Sequence, residues 1–140
     1  MDAEKRTKIG IGIMIFREGK ILLGKRKNIS GHGEFAFPGG GLEYMESFEE
    51  GALREIEEET GVKVDNLRFL LLANLKDYAP LHFLHVGMVA DWKSGEAELK
   101  EPEKSESWNW YDLDNLPSPR FKTVDMTIEA LKTGKIFFDK

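Results

Sequence analysis

Hydrophobic and polar residues alternate along the first part of the chain in the manner of β-strands. Isoleucines recur at every second position of KIGIGIMIF, residues 8–16, which predicts a strand that is buried on both faces. A turn at 17–20 leads into a returning strand at 20–27, and FAF at 35–37 predicts a short third strand. Further runs of this kind predict strands at 62–75, 81–92 and 107–111.

Two segments instead repeat their apolar residues with the helical period of 3.6. The first helix is predicted at 47–60, because Ser47 is followed three residues later by Glu50, the pattern of a capping box. Gly61 suits the C-terminal cap, where a positive φ is needed. The second helix is predicted at 121–132. Strands and helices in this order predict an α/β protein.

Composition agrees with a soluble globular protein, since 41% of the residues are hydrophobic and 32% are charged. The length of 140 residues predicts a single domain over 1–140. The formal net charge of −5 argues against binding nucleic acid or a membrane through a basic surface. The chain has no cysteine, which excludes disulfides and thiolate chemistry. No signal-type apolar segment follows MDAEKRTK, so we expect a cytoplasmic protein.

The segment REIEEETGV, residues 54–62, concentrates like charges on one side of the first helix. Glu55, Glu58 and Glu59 stand at i, i+3 and i+4, so their side chains share an arc of about 100°. Like charges at this spacing are destabilising unless they take up protons or bind a cation. Carboxylate oxygens suit hard cations such as Mg²⁺ or Mn²⁺. Just upstream, FPGGGLE at 37–43 predicts a glycine loop whose backbone can approach a ligand closely.

Taken together, these residues resemble the complete Nudix box, which fixes seven residues and two aliphatic positions over 40–62. All of them match: Gly40, Glu46, Arg54, Glu55, Ile56, Glu58, Glu59, Gly61 and Val62. The resemblance implies an α/β/α sandwich around a mixed β-sheet. It also implies a Nudix pyrophosphohydrolase, an enzyme that hydrolyses a nucleoside diphosphate linked to a further group.

The resemblance implies roles for particular residues. Glu55, Glu58 and Glu59 would bind Mg²⁺, with Mn²⁺ able to substitute, and the Gly39 carbonyl would join the metal shell. Glu55 and Glu58 are also candidates for the general base, and Arg54 would orient the carboxylates. A further carboxylate from outside the box is expected from EPEKSESW, which offers Glu101, Glu103 and Glu106. Of these we favour Glu103.

Substrate contacts are expected from both sides of the box. Arg26 projects from a strand close to the glycine loop and is expected to bind a phosphate, while Gly40 lets the backbone approach the substrate. Three aromatic residues are candidates for packing on a base: Phe35, Phe37 and Phe121.

The segment EPEKSESWNWYDLDNLPSPRF, residues 101–121, resembles a subgroup of Nudix nucleoside triphosphate diphosphatases. The leading hypothesis is therefore hydrolysis of nucleoside triphosphates, including oxidised or modified purine dNTPs, to the monophosphate and pyrophosphate. One alternative is hydrolysis of another diphosphate, such as ADP-ribose, a nucleotide sugar or an isoprenoid diphosphate. Another is a catalytically silent ligand sensor, although such domains usually lose glutamates that this chain keeps. Where relatives often have Trp and His, this chain has Lys122 and Gly41. A homodimer is the expected assembly.

Overall fold

A mixed eight-stranded β-sheet forms the centre of the protein. The computed structural model describes residues 5–139, so residues 1–4 and 140 of the predicted domain lie outside the described residues. The strands run in the order β3-β2-β1-β6-β5-β8, with β4 paired to β1 and β7 paired to β2. They span β1 Thr7–Arg17, β2 Lys20–Arg26, β3 Phe35–Ala36, β4 Gly39–Gly41, β5 Lys63–Leu75, β6 His82–Ser94, β7 Ser105–Asp112 and β8 Phe137–Phe138.

One helix covers each face of the sheet, which confirms the predicted sandwich. Helix α1, Phe48–Glu59, packs its buried Ile56 in the same core cluster as Ile13 of β1. Helix α2, Lys122–Thr133, packs its buried Val124 with Met14 of β1 on the opposite face. Because successive side chains of a strand point to opposite faces, the alternation in KIGIGIMIF supplies both cores from one strand. Strand β1 is therefore buried on both sides, as the sequence predicted.

The ends of α1 also agree with the sequence prediction. Ser47 is the N-cap, and it forms a complete capping box with Glu50. Thr60 is the C-cap, and Gly61 follows it with a φ of 75°. A positive φ is accessible to glycine without steric cost, so Gly61 lets the chain leave the helix and enter β5.

The glycine-rich segment differs from its prediction as a loop. Gly39–Gly41 forms strand β4 and pairs antiparallel with residues 10–12 of β1. The amide of Ile13 also donates to the carbonyl of Pro38 at 2.9 Å. Three consecutive glycines have low β-propensity, so the pairing with β1, and not their intrinsic preference, explains this strand.

Strand β8 closes the described part of the chain at the far edge of the sheet. It pairs parallel to β5, with Phe138 buried and Phe137 exposed, so only Phe138 belongs to the core. Within the described residues, neither helix has the length and hydropathy that a membrane crossing would require.

Candidate active site

The capping box at the start of α1 fixes where the glutamates of this helix lie. The Ser47 hydroxyl accepts from the Glu50 amide at 3.0 Å, and the Glu50 carboxylate accepts from the Ser47 amide at 2.8 Å. With the helix start fixed and Ile56 buried against the sheet, the rotation of the helix about its axis is set. Glu55 and Glu59 consequently line a cavity beside the sheet.

Strand β4 forms the neighbouring wall of this cavity, and its glycines allow the carboxylates to approach the backbone. The amide of Gly39 donates to Glu59 Oε1 at 2.7 Å. A Cβ atom on Gly39 would lie only 2.0 Å from the carbonyl oxygen of Ile11. A Cβ atom on Gly40 would lie 2.5 Å from both carboxylate oxygens of Glu55. Residues with side chains would therefore displace either the strand pairing or the glutamates.

Arg54 donates hydrogen bonds to three glutamates and to one backbone carbonyl beside the cavity. Its guanidinium donates to both carboxylate oxygens of Glu46, at 2.7 and 2.9 Å, and to Glu55 Oε1 at 2.8 Å. It also donates to Glu58 Oε2 at 3.3 Å and to the carbonyl of Gly41 at 2.9 Å. The hydrogen bonds from Arg54 lower the pKa of Glu46 to about 2. Arg54 thus ties α1 to strand β4 and fixes one oxygen of Glu55.

Two carboxylates at the cavity have raised pKa values. Burial raises the pKa of Glu59 to about 8, and the nearby charges of Glu55 and Glu101 contribute to this rise. The hydrogen bond from the Gly39 amide acts in the opposite direction and lowers this pKa. Burial also raises the pKa of Glu55. Desolvation and like charges both disfavour an ionised carboxylate, and a bound cation would remove that penalty.

Of the three carboxylates predicted from EPEKSESW, Glu101 is the one that borders the cavity. It lines the same cavity as Glu55 and Glu59, and Lys104 approaches its carboxylate at 3.9 Å. Glu103, which we favoured from the sequence, is exposed in the turn that follows and does not line the cavity. Glu106 faces Lys25 on strand β2, with 3.6 Å between nitrogen and oxygen. The position of Glu103 therefore does not support its predicted role, and Glu101 replaces it as the candidate.

The donor set fits a hard divalent cation. Glu55, Glu59 and Glu101 offer only oxygen atoms, which Mg²⁺ and Mn²⁺ prefer, and all three border one cavity. Within residues 5–139, however, no three acidic or histidine side chains already converge at the distances of a shared metal site. Glu58 is half exposed, does not line the cavity and bonds Arg54. These side chains would therefore have to rotate before they could share one ion.

The cavity has a volume of about 470 Å³, and several of its lining residues belong to the core on the α2 side of the sheet. This volume lies within the usual range for small-molecule sites. Much of its lining is apolar, with these residues among those that line it: Ile29, Phe37, Leu75, Leu81, Phe83, Trp108 and Phe121. The cavity therefore combines acidic side chains with a largely apolar lining.

Arg26 supplies positive charge at the cavity. It lies on the cavity wall, where its Nε donates to the Ser30 carbonyl at 2.6 Å and its Nη2 donates to the Ser30 hydroxyl at 3.3 Å. Burial lowers the pKa of Arg26, while the charge of Glu59 acts in the opposite direction. An arginine keeps its proton even after such a shift, so Arg26 is a fixed cation at the cavity.

The structure gives Phe121 partners that exclude its predicted role in stacking on a base. One face of its ring carries the Arg26 guanidinium, 4.4 Å from the ring centroid. The other face stacks on Tyr78, with 4.3 Å between centroids and 6° between planes. Because both faces are occupied, only the edge of Phe121 is available to a ligand.

The other two aromatic candidates differ from each other. Phe35 does not line the cavity and packs edge-on against Tyr111, with 5.8 Å between ring centroids. Its predicted contact with a base therefore lacks support. Phe37 is buried and lines the cavity, as does Gly40, so both remain candidates for substrate binding.

Comparison with known proteins identifies the family. The family described as NUDIX domain matches residues 6–130, which is most of the chain. The chain belongs to the Nudix family. The Nudix box at residues 40–62 is therefore a true family motif and not a chance resemblance, and the predicted fold class is confirmed with it.

Similar Nudix proteins carry several different names. An ADP-ribose pyrophosphatase from Methanocaldococcus jannaschii is 36% identical over 114 residues, covering 81% of this chain and 66% of that protein. An NAD-capped RNA hydrolase NudC from Mannheimia succiniciproducens is 34% identical over 124 residues, covering 85% of this chain and 45% of that protein. The chain thus spans less than two thirds of the length of either relative.

A solved structure of similar length has the same fold. The MutT NUDIX hydrolase from Burkholderia pseudomallei superposes with a TM-score of 0.83 at 34% identity, covering 89% of this chain and 97% of that chain. The enzyme class predicted from the sequence, a Nudix pyrophosphohydrolase, agrees with these relatives.

The cavity also contains residues that the sequence did not single out as part of a site. Gly10 and Gly12 of β1 face away from α1 and lie on the cavity floor, next to His85 of β6. The His85 ring occupies the space above Gly12, since a Cβ atom on Gly12 would lie 2.8 Å from its Cε1. The alternation of glycine with isoleucine in β1 was the available signal, because it leaves one face of a buried strand without side chains at positions 10 and 12.

His85 gives a prediction for the pH dependence of stability. Burial lowers its pKa from 6.5 to about 4, so the folded protein keeps this imidazole neutral while the unfolded chain protonates it. The contribution of His85 to stability should therefore be largest above pH 6.5 and decrease as the pH falls towards 4. Relative to a His85→Leu variant, we expect wild type to lose up to about 3 kcal/mol of unfolding free energy over this interval. Urea denaturation at a series of pH values measures the difference, and a constant difference across the interval would contradict the prediction.

Proposed function

We propose that the chain is a Mg²⁺-dependent hydrolase that cleaves a diphosphate linkage in a nucleotide. The observation that carries the proposal is the grouping of Glu55, Glu59 and Glu101 around one cavity that also contains Arg26. Burial and mutual repulsion make Glu55 and Glu59 poor isolated anions, whereas they suit a cation. Diphosphate substrates carry the negative charge that a bound cation and an arginine would offset together.

The residues of the chain divide the work of this reaction. Glu55, Glu59 and Glu101 would hold the ion, which when bound neutralises phosphate charge and acidifies water. Arg54 orients Glu55 through its 2.8 Å hydrogen bond, and Arg26 binds a phosphate oxygen. A water oxygen bonds to phosphorus as the bridging P–O bond breaks, and Glu55 accepts the proton of that water. The roles predicted for Glu58 and for the Gly39 carbonyl stay predictions.

A nucleoside diphosphate derivative such as ADP-ribose is the favoured substrate. The support is the similarity to the ADP-ribose pyrophosphatase of Methanocaldococcus jannaschii, which extends over 81% of this chain. The cavity is consistent with this class, because its carboxylates with a bound cation and Arg26 would take the diphosphate while its apolar lining would take a base or a sugar.

Nucleoside triphosphates are the second candidate. The segment at 101–121 supports them through its resemblance to the nucleoside triphosphate diphosphatases, and Glu101 belongs to that segment. The two candidates differ in their products. An ADP-ribose substrate yields AMP and ribose 5-phosphate, whereas a triphosphate yields a nucleoside monophosphate and pyrophosphate.

A hydrolysis panel with chromatographic identification of the products tests the proposal. The panel contains ADP-ribose, NAD, a nucleotide sugar, an isoprenoid diphosphate, the natural dNTPs and 8-oxo-dGTP, each with Mg²⁺ and with a chelator. We expect the fastest turnover with ADP-ribose and no turnover of any compound with the chelator. Fastest release of pyrophosphate from triphosphates would favour the second candidate. No hydrolysis of any compound, by protein that still binds Mg²⁺, would contradict the proposal.

A further inference from the structure

Three planar groups from distant parts of the chain form one continuous stack beside the cavity. The Arg26 guanidinium of β2 lies 4.4 Å from the centroid of Phe121, the N-cap residue of α2. Tyr78, from the connection between β5 and β6, stacks on the other face of Phe121 at 4.3 Å. The stack therefore joins β2, the start of α2 and the β5–β6 connection at one point.

Tyr78 is fixed more firmly than stacking alone would require. Its hydroxyl accepts from the amide of Lys122 at 2.9 Å and donates to Glu34 Oε1 at 2.7 Å. Burial raises the pKa of Tyr78, so the hydroxyl keeps the proton that it donates. Phe121 makes no side-chain cap of its own, so Tyr78 satisfies one of the free amides at the start of α2.

One edge of Phe121, that of Cδ1 and Cε1, is also confined. Gly31 has a φ of 74°, and a Cβ atom at this position would lie 2.6 Å from Cδ1 of Phe121. The ring thus has Arg26 on one face, Tyr78 on the other and the Gly31 backbone at its edge. Phe121 can transmit the position of Tyr78 to Arg26 because it has little room to move.

Arg26 keeps part of its guanidinium free for a ligand. Its hydrogen bonds go to Ser30 through Nε and Nη2, and among residues 5–139 its Nη1 makes none. A guanidinium that stacks flat on an aromatic ring keeps its N–H groups in its own plane, pointing outward. These N–H groups stay hydrated and can still donate to a ligand. The stack therefore presents Arg26 to the cavity in one orientation.

We propose that Tyr78 is a positioning residue that holds Arg26, through Phe121, in the orientation that binds the anionic part of the substrate. This proposal rests on the proposed function, since it assumes that the ligand of Arg26 is a diphosphate. Tyr78 itself does not line the cavity and does not touch the ligand.

A double-mutant cycle tests this positioning role. The variants are Tyr78→Leu, Arg26→Gln and the two combined, and the measured quantity is the calorimetric affinity for inorganic pyrophosphate with Mg²⁺. We expect each single substitution to weaken pyrophosphate binding about tenfold, and the combined variant to bind no more weakly than Arg26→Gln alone. Such non-additivity is the signature of two residues that act through one interaction.

Two further variants separate positioning from a purely structural role. Tyr78→Phe keeps the stacked ring and loses both hydrogen bonds, so we expect a lower melting temperature with an affinity close to wild type. Tyr111→Leu removes another partly buried tyrosine from the same core cluster, where it packs on Phe35 and not on Phe121. It should lower the melting temperature and leave the pyrophosphate affinity intact.

Three results would overturn the proposal. One is a wild-type affinity in Tyr78→Leu, and another is full additivity of its loss with that of Arg26→Gln. The third is an equal loss of affinity in Tyr111→Leu, which would indicate a general effect on the fold. If Tyr78→Leu does not fold, the Tyr78→Phe variant decides the question. A wild-type pyrophosphate affinity in Tyr78→Phe supports the role of the ring, and a loss of affinity equal to that of Arg26→Gln overturns it. Because binding of pyrophosphate needs no turnover, the cycle gives its answer even if the hydrolysis panel fails.

Discussion

Glu55→Gln is expected to lower kcat/KM for the best substrate of the panel by about 10²–10⁴-fold, the range for loss of a positioned general base. Glu55 lies against Gly40 and lines the cavity, and one of its oxygens is held by Arg54 at 2.8 Å. Glutamine keeps the size of the side chain and removes its charge and basicity. The variant should therefore lose activity without losing its fold.

Glu57→Gln is the matched control for this substitution. Glu57 belongs to the same helix but does not line the cavity, and its carboxylate pairs with Lys63 at 2.9 Å and Lys100 at 3.6 Å. The change in charge is identical, so an effect of net charge would appear in both variants. We expect Glu57→Gln to hydrolyse the substrate at nearly the wild-type rate.

The melting temperature of Glu55→Gln and the activity of a third variant, Glu58→Gln, complete the test. Because burial disfavours the ionised form of Glu55, its neutralisation should not lower the melting temperature of the metal-free protein. Glu58→Gln should lose less activity than Glu55→Gln, since Glu58 is half exposed and outside the cavity lining. Equal rates for the Glu55 and Glu57 variants would show that Glu55 is not part of the reaction.

The elements that the sequence predicted well are those whose signals are local. The capping box depends on two residues three positions apart, and both of its hydrogen bonds form as expected. The period-2 alternation of β1 is likewise contained in one segment, and it places isoleucines towards α1. Such patterns are readable because neighbouring residues alone determine them.

Strand β4 shows where local signals fail. Its three glycines carry no strand propensity, and pairing with residues 10–12 of β1 depends on a partner far away in the chain. The same pairing explains why glycine is required, because a Cβ on Gly39 would reach within 2.0 Å of the Ile11 carbonyl. The sequence indicated close backbone approach correctly but attributed it to a loop.

The candidate site shows a similar division. The box residues follow from spacing on one helix, whereas the choice between Glu101 and Glu103 depends on how a short turn is oriented. The amide of Lys104 donates to the Glu101 carbonyl at 3.0 Å, and this turn leaves Glu101 at the cavity and Glu103 in solvent. No sequence periodicity encodes that orientation.

Aromatic roles were the least predictable, because each ring can satisfy several partners equally well. Phe121 was a reasonable candidate for a base contact by type and position. Its two faces are instead taken by Arg26 and Tyr78, which come from other parts of the chain. Tertiary contacts, and not residue type, decide which face of an aromatic ring remains free.

Arg54→Lys is expected to lower activity about 10–100-fold, the usual cost of disturbing a residue that orients metal-binding side chains. Lysine keeps the positive charge but has a single nitrogen at its tip. It cannot reproduce the guanidinium fork that bonds Glu46, Glu55 and the Gly41 carbonyl at once. Glu55 should therefore lose its fixed orientation while the site keeps its net charge.

Arg17→Lys is the control for this conservative change. Arg17 also makes a paired contact with a carboxylate, that of Glu96 at 3.2 Å, and it packs over Trp92 outside the cavity lining. The measurements are kcat/KM, the Mg²⁺ concentration for half-maximal activity and the melting temperature. We expect Arg54→Lys to require more Mg²⁺, because the carboxylates must be ordered by the ion itself when the arginine no longer holds them. If both lysine variants respond alike in all three measurements, the fork of Arg54 has no specific role in orienting the site.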